Sequence, residues 1–250
     1  MKIECPDEGL CSVVSDVHEP WADKRVQDIY LKSIQTRRPH TVVLNGDIID
    51  NFELSDHMKS PAKAGTTFQK ELDAARPFIM EIRKWCKRVV YGMGNHENRY
   101  WKRVMEQPGL YGLRAMSFGK LAELPDDVLV FPYGTMILWG DTIIYHGDIT
   151  AKNVATTGWN RFSSQLVLGH AHRSSTFQHT HPITKERTYV VAAGTLCDFA
   201  PVDFTAHPPW NHGWAEIRAW KDAAGRRRTR PYQVEVEGYS VVLGDKTYHG

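Results

Sequence analysis

Five short polar signals occur in order along the chain. They are Ser15-Asp16-Val17-His18, Gly46-Asp47, Gly94-Asn95-His96-Glu97, His146-Gly147-Asp148 and Gly169-His170-Ala171-His172. With His96 and the flanking residues set aside, Asp16, His18, Asp47, Asn95, His146, His170 and His172 remain. These are oxygen and imidazole donors with no thiolate. Such a set suits Mn, Fe, Zn, Ni or Co better than Ca or Mg alone. Seven donors exceed the three or four that hold a single catalytic zinc ion. Two divalent transition-metal ions sharing one carboxylate account for all seven, with manganese the first expectation. Taken singly, each signal is a short motif with a real false-positive rate. Taken together they form a specific set. Without cations, crowding these carboxylates and imidazoles would be costly.

Something must bring residues so far apart in sequence to one place. Each signal directly follows a short apolar run bounded by Gly, Pro or Asp, as strands usually are. The runs are Leu10–Ser15, Thr41–Leu44, Arg88–Tyr91, Val128–Phe131, Thr135–Leu138, Thr142–Tyr145, Gln165–Leu168, Thr188–Ala192, Trp214–Ala219 and Tyr232–Val236. In open α/β sheets the carboxyl ends of strands converge on one edge, where ligands bind. Val26, Ile29, Tyr30 and Ile34 recur at helical spacing, as do Phe68, Leu72, Ala75, Ile79, Ile82 and Cys86. Pro77 falls inside the second pattern and should kink or split that helix. Tyr100, Trp101, Val104 and Met105 predict a short helix after the Asn95 motif. Strand–helix–strand alternation in the first half implies parallel pairing. The second half, rich in strands, implies hairpins. The simplest sum is an α/β sandwich of two mixed sheets.

Composition narrows the function classes. The chain has 250 residues, 42% apolar and 24% charged, which excludes disorder, collagen and coiled coil. No long linker or repeat divides it, so residues 1–250 are read as one domain. The net charge of +2 provides no global field for nucleic acid or anionic lipid. Cys5, Cys11, Cys86 and Cys197 are scattered, which argues against a disulfide scaffold or a structural zinc site. The N-terminus lacks an apolar leader core, and the most apolar stretch, Val128 to Tyr145, is broken by Pro132, Gly134, Gly140 and Asp141. The expectation is a cytoplasmic protein without membrane spans.

The ordered set, from about Val13 to His172, resembles the calcineurin-like metallophosphoesterase superfamily. The resemblance implies a four-layer sandwich, two mixed β-sheets flanked by helices. It implies that Asp16, His18 and His172 hold one metal, that Asn95, His146 and His170 hold the other, and that Asp47 bridges them. By the same resemblance His96 is the catalytic histidine, and Asp50 is the carboxylate that orients it. The stretches GDIIDNFELSDH, GNHENRYWKRV and LCDF…WNHGW look like small members encoded by bacteriophages, which would place the protein in the host cytoplasm. Three branches fit less well. Protein Ser/Thr phosphatases carry Arg-Gly where Asn51-Phe52 stands. Lipid A pathway hydrolases lack the counterpart of His96. The double-strand-break nucleases usually carry further domains after the core, for which the residues after His172 leave no room.

The expected activity is hydrolysis of a phosphate ester, a monoester or a diester. Two metals would activate a bridging hydroxide for in-line attack on phosphorus, and His96 would assist the leaving group. Two alternatives stay open. One is a phosphodiesterase or nuclease specialised for nucleic acid; the other is a nucleic-acid-binding or assembly module with a non-catalytic metal site. Recognition is expected from loops at the same edge, Phe52–Thr67, Ile149–Ser164, Arg173–Arg187 and Phe199–Gly213. Substrate contacts are expected from Arg99, Arg161 and Arg173, with Arg103, Trp159, His207, Trp210 and His212 as further candidates. Aromatics beside arginines can stack bases and hold phosphate, or serve as loop anchors and a solvated rim. The run Arg226-Arg227-Arg228 with Arg230 is a local basic cluster, expected on a hairpin loop, that either binds nucleic acid or forms a solvated turn.

Overall fold

The computed structural model describes residues 1–56, 63, 65–201 and 208–250. The predicted candidate His207 lies outside them, as do parts of the expected loops 52–67 and 199–213. The elements are β1 (Lys2–Ile3), β2 (Gly9–Val14), α1 (Lys24–Arg37), β3 (Thr41–Asn45), α2 (Phe68–Arg83), β4 (Arg88–Gly92), α3 (Asn95–Met105), α4 (Phe118–Leu121) and β5 (Leu129–Phe131). There follow β6 (Ile137–Trp139), β7 (Thr142–Tyr145), α5 (Val154–Phe162), β8 (Leu166–Leu168), β9 (Ser174–Thr180) and β10 (Arg187–Ala193). β11 (Gly213–Lys221), β12 (Arg227–Glu235), β13 (Ser240–Leu243) and β14 (Lys246–His249) complete the chain.

Two mixed six-stranded sheets face each other. One has the order β12-β11-β2-β3-β4-β5 and the other β1-β6-β7-β8-β10-β9, while β13 and β14 pair separately. β2 to β5 are parallel, as the alternation predicts. β7, β8 and β10 are also parallel, so the second half is less hairpin-rich than its strand content implies.

Side-chain alternation builds four layers. In β3, Val43 joins the core between the sheets, while Val42 and Leu44 face the helices. On that helix side Val26, Ile29, Tyr30 and Ile34 of α1 meet Leu72, Ala75, Ile79 and Ile82 of α2. Behind the second sheet, Val154 and Ala155 of α5 pack on Leu166, Leu168 and Val190. Strands buried on both faces read as continuous apolar runs, which makes them visible in the sequence. The fold is thus a single α/β domain of two mixed sheets flanked by helices.

Four expectations need correction. α2 runs unbroken through Pro77. Pro77 is exposed, and so is Asp73 four residues earlier. The carbonyl that Pro77 leaves without a donor can therefore turn to water. α3 begins at Asn95 itself, so the third motif is a helix start, and Met105 is 66% exposed. Arg227, Arg228 and Arg230 lie in β12 and not on a loop; only Arg226 is in the turn. The expected loop 149–164 contains α5, and half of the expected loop 173–187 is β9, paired antiparallel with β10. No described helix is long and apolar enough to cross a membrane.

Candidate metal centre

The five motifs lie just beyond the carboxyl ends of β2, β3, β4, β7 and β8. Asp16, His18, Asp47, His170 and His172 all have left-handed backbones, with φ of 57°, 54°, 53°, 69° and 55°. Each such residue costs of order 1 kcal/mol and persists only where its surroundings fix it. Glycines make the close approach possible. A Cβ on Gly94 would lie 2.5 Å from the Asp47 nitrogen, and one on Gly46 would lie 2.5 Å from His146 Nδ1.

Three groups of ligating atoms form, each within 4.8 Å: Asp16 with His18 and His172, His18 with Asp47 and His96, and Asp47 with His146 and His170. In the first group His172 Nε2 lies 3.1 Å from Asp16 Oδ1 and 3.0 Å from His18 Nε2. In the last, His146 Nε2 lies 3.2 Å from Asp47 Oδ2. Asn95 Oδ1 joins that group, 3.0 Å from His146 Nε2 and 2.8 Å from His170 Nδ1. The structure thus brings all seven predicted donors together in one cluster.

Hydrogen bonds behind these atoms fix their directions. His146 Nδ1 donates to the Asn45 carbonyl at 2.7 Å, which leaves the Nε2 lone pair facing the centre. Asp16 Oδ2 accepts from Ser15 Oγ at 2.5 Å and from the His170 N–H at 2.9 Å. Its buried Oδ1 makes no hydrogen bond of good geometry among the described residues and instead faces His172 Nε2 at 3.1 Å, so a carboxylate oxygen and an imidazole nitrogen are aimed at one point. Imidazole nitrogens converge on the same point. These are features of a set of donors arranged around cations, and the oxygen–imidazole chemistry suits divalent metals.

Charges within the cluster are strongly coupled. Burial works against ionising Asp16, but His172 and His146 outweigh it and hold its carboxyl at about 2. Burial likewise opposes the Asp47 charge, and His146 and His96 pull that carboxyl well below its ordinary value. Burial lowers the imidazole pKa of His172, yet Asp16 lifts it to about 10. Against the same opposition, Asp47 lifts His146 to about 9. His18 falls to about 4, through burial and then the neighbouring His96.

His96, Arg99 and Arg173 line an open cavity of about 450 Å³ over the cluster, with Asp47, Asn95, His170, His172 and Trp210. His96 Nδ1 donates to the Asp50 carbonyl at 2.5 Å, and the Asp50 carboxylate oxygen Oδ1 lies 3.4 Å from that nitrogen. The same Oδ1 lies 3.2 Å from His18 Nδ1, so Asp50 touches both imidazoles. Arg99 Nη1 also donates to the Asp50 carbonyl. Arg173 bonds the carbonyls of Thr150 and Ala151. Arg161 is not among the cavity's lining residues and pairs with Asp148 instead. Arg103 pairs with Asp56 and Glu106, Trp159 stacks on His179, and His212 bonds the Cys197 carbonyl.

The sequence alone assigns no role to four residues that support this arrangement, although Ser15 and Glu97 stand inside its motifs. Glu97 is fully buried and takes hydrogen bonds from Asp47, Ile48, Gly94 and Tyr91. Glu71 accepts the N–H groups of Asn51 and Phe52. Lys63, 4% exposed, donates to Asp50 Oδ2. Ser15 orients Asp16. For Glu97 a signal exists. It sits three residues after Gly94, the position from which a glutamate caps a helix start.

The fold is a two-sheet sandwich whose strand ends carry a candidate metal centre. Residues 12–244 match the calcineurin-like phosphoesterase family, and the chain belongs to that family. Similar solved structures include vacuolar protein sorting 29 from Cryptosporidium parvum, at 14% identity and TM-score 0.47, covering 91% of this chain and 98% of that one. Vps29 of Chaetomium thermophilum is 12% identical at TM-score 0.41, covering 96% of this chain and 98% of that one. TT1561 of Thermus thermophilus is 8% identical at TM-score 0.36, covering 89% of this chain and 98% of that one. No curated protein matches the sequence.

Proposed function

We propose that the chain is a dinuclear-metal phosphoesterase. The observation that carries this reading is that the Asp47 carboxylate groups with His18 on one side and with His146 and His170 on the other. Asp16, His18 and His172 would hold one ion. Asn95, His146 and His170 would hold the other, with Asp47 contributing to both. When bound, divalent cations there supply Lewis-acid activation of the nucleophile and of the phosphoryl oxygens.

The chain's own residues do the rest. His146 is held by Asn45 with its Nε2 lone pair inward. Asp50 engages the Nδ1 nitrogens of His18 and His96, which fixes both rings. His96 thereby presents Nε2 to the cavity, where Arg99 Nη2 donates to it at 3.1 Å; to give a proton to the leaving oxygen, Nε2 must gain one as Arg99 turns to the phosphate. Arg99 and Arg173 supply cationic edges for a phosphate, and Trp210 packs on His172 with ring centroids 4.5 Å apart. Arg161 is left out of this set because it does not line the cavity. The likeness to bacteriophage-encoded members rests on sequence stretches alone.

The test is a comparison of a chromogenic phosphate monoester with the matching diester, with manganese and with chelator. Chelator-sensitive turnover of either supports the reading. Turnover of the diester alone selects the phosphodiesterase form. No turnover of either by metal-loaded protein would overturn it.

A further inference from the structure

We infer that the edge of the sandwich opposite the metal centre binds single-stranded nucleic acid along a basic belt. Two open grooves, of about 740 and 760 Å³, flank the end of β11. Consecutive residues join them: Arg218 and Ala219 line one, and Trp220 lines the other. Ten lysines and arginines line the two grooves against four carboxylates. Glu216 and Glu81, which pair with Arg37 and Lys84, lower that surplus to four, still more than the chain's whole sum of +2, so the rest of the molecule is net acidic. A balanced chain has thus gathered its positive charge at one place, which focuses a local field.

Four of the ten cations are already paired: Arg37 with Glu216, Lys84 with Glu81, and Arg226 and Arg228 with the one carboxylate of Asp222. Arg38, Lys87, Lys185, Arg187, Arg218 and Arg230 have no carboxylate at ion-pair distance among the described residues. Arg218 and Arg230 are direct register partners across β11 and β12. Like charges in that position are destabilising, and an anion laid over them removes the repulsion.

Aromatic rings alternate with these cations. The Tyr232 ring lies under both Arg218 and Arg230, at 5.6 and 4.9 Å. Arg38 lies over the Trp85 ring at 4.1 Å. Trp220 and Tyr232 are 39% and 37% exposed, so two large rings stand open on a sheet face. A charged groove with exposed rings is the construction that binds single strands: the backbone follows the charge and bases stack on the rings. Leu10, the register partner of Arg218, precedes Asp16 along β2, and at roughly 3.3 Å per residue the belt lies about 20 Å from the metal centre. The inference therefore stands apart from the proposed catalysis.

The experiment is fluorescence anisotropy of a labelled oligothymidylate with the full chain, in chelator to exclude turnover. Saturable binding is expected, weakening with salt at a log–log slope of about −4, from six unpaired cations at roughly 0.7 each. Arg218→Glu combined with Arg230→Glu should weaken it about tenfold or more. Trp220→Ala should weaken it about fivefold or more. Arg187→Glu, at an exposed site, guards against misfolding and should also weaken it; unfolding midpoints should stay at the wild-type value. Absence of binding, insensitivity to salt, or unchanged affinity in folded variants would overturn the inference. So would binding to phosphatidylserine vesicles without binding to the oligonucleotide.

Discussion

Glu97 holds the backbone of Asp47: its Oε2 accepts the Asp47 N–H at 2.9 Å. The same oxygen accepts the Gly94 N–H at 2.8 Å, while Oε1 takes the Ile48 N–H at 2.8 Å and the Tyr91 hydroxyl at 2.7 Å. Asp47 Oδ1 in turn accepts the His96 N–H at 2.9 Å. Two turns from different strands are thereby locked together, and the Asp47 carboxylate in the donor cluster is aimed by a second one that points away from it.

Glu97→Gln tests that lock. An amide has one acceptor oxygen, so its NH2 must face two or more donors. The expected loss is about 2–4 kcal/mol of stability, read from the urea midpoint, with a matching loss of bound metal. A change below about 0.5 kcal/mol would show that the lock does not hold the turns.

The histidines make metal uptake depend on pH. In the metal-free chain His172 lies at about 10 and His146 at about 9, both raised from 6.5 by Asp16 and Asp47 against burial. A raised histidine stabilises the fold fully below about 6.5, and that stability is lost as pH rises through 9 to 10. The metal-free protein should therefore weaken between neutral pH and pH about 10, and Asp16→Asn should flatten the profile. Metal binding near neutrality should release protons, visible as a dependence of the binding heat on the buffer's ionisation enthalpy. A buffer-independent heat would contradict the assigned charges.

Glu71 provides a second pH signature with the opposite origin. Burial raises its carboxyl to about 7, although the Phe52 and Asn51 N–H groups lower it. A raised carboxyl favours the fold below its ordinary value of 4.5, and this advantage is lost as pH rises to about 7. The expected span is about 3 kcal/mol between these limits. Denaturation of wild type and Glu71→Gln across this range should show the slope only in the former.

His96→Ala should separate substrates by leaving group. For an alkyl phosphate, kcat should fall by about 10²–10⁴, while an activated aryl ester should be affected much less. Equal losses on both, with metals retained, would remove His96 from the proton-donating role.

Much of this architecture is legible in the sequence. Strands buried on both faces show as apolar runs, and the polar residues after them mark the site. Edge strands are the weak point. β9 and β12 each pair on one side only, so they tolerate polar, charged and proline residues. The segment Arg227–Pro231 therefore looks like a turn and is a strand. The role of Glu71, and the part of Glu97 that reaches beyond its helix start, are illegible for another reason. Both carboxylates act on backbone N–H groups, and such partners leave no residue type in the sequence to find.

The central claim is a two-metal centre sharing Asp47. The most direct measurement is the metal content of manganese-reconstituted protein beside Asp47→Asn, by mass spectrometry of the metal. The account predicts two ions per chain in the wild type and substantial loss of both in the variant. One ion or none in the wild type, or two retained in Asp47→Asn, would contradict it.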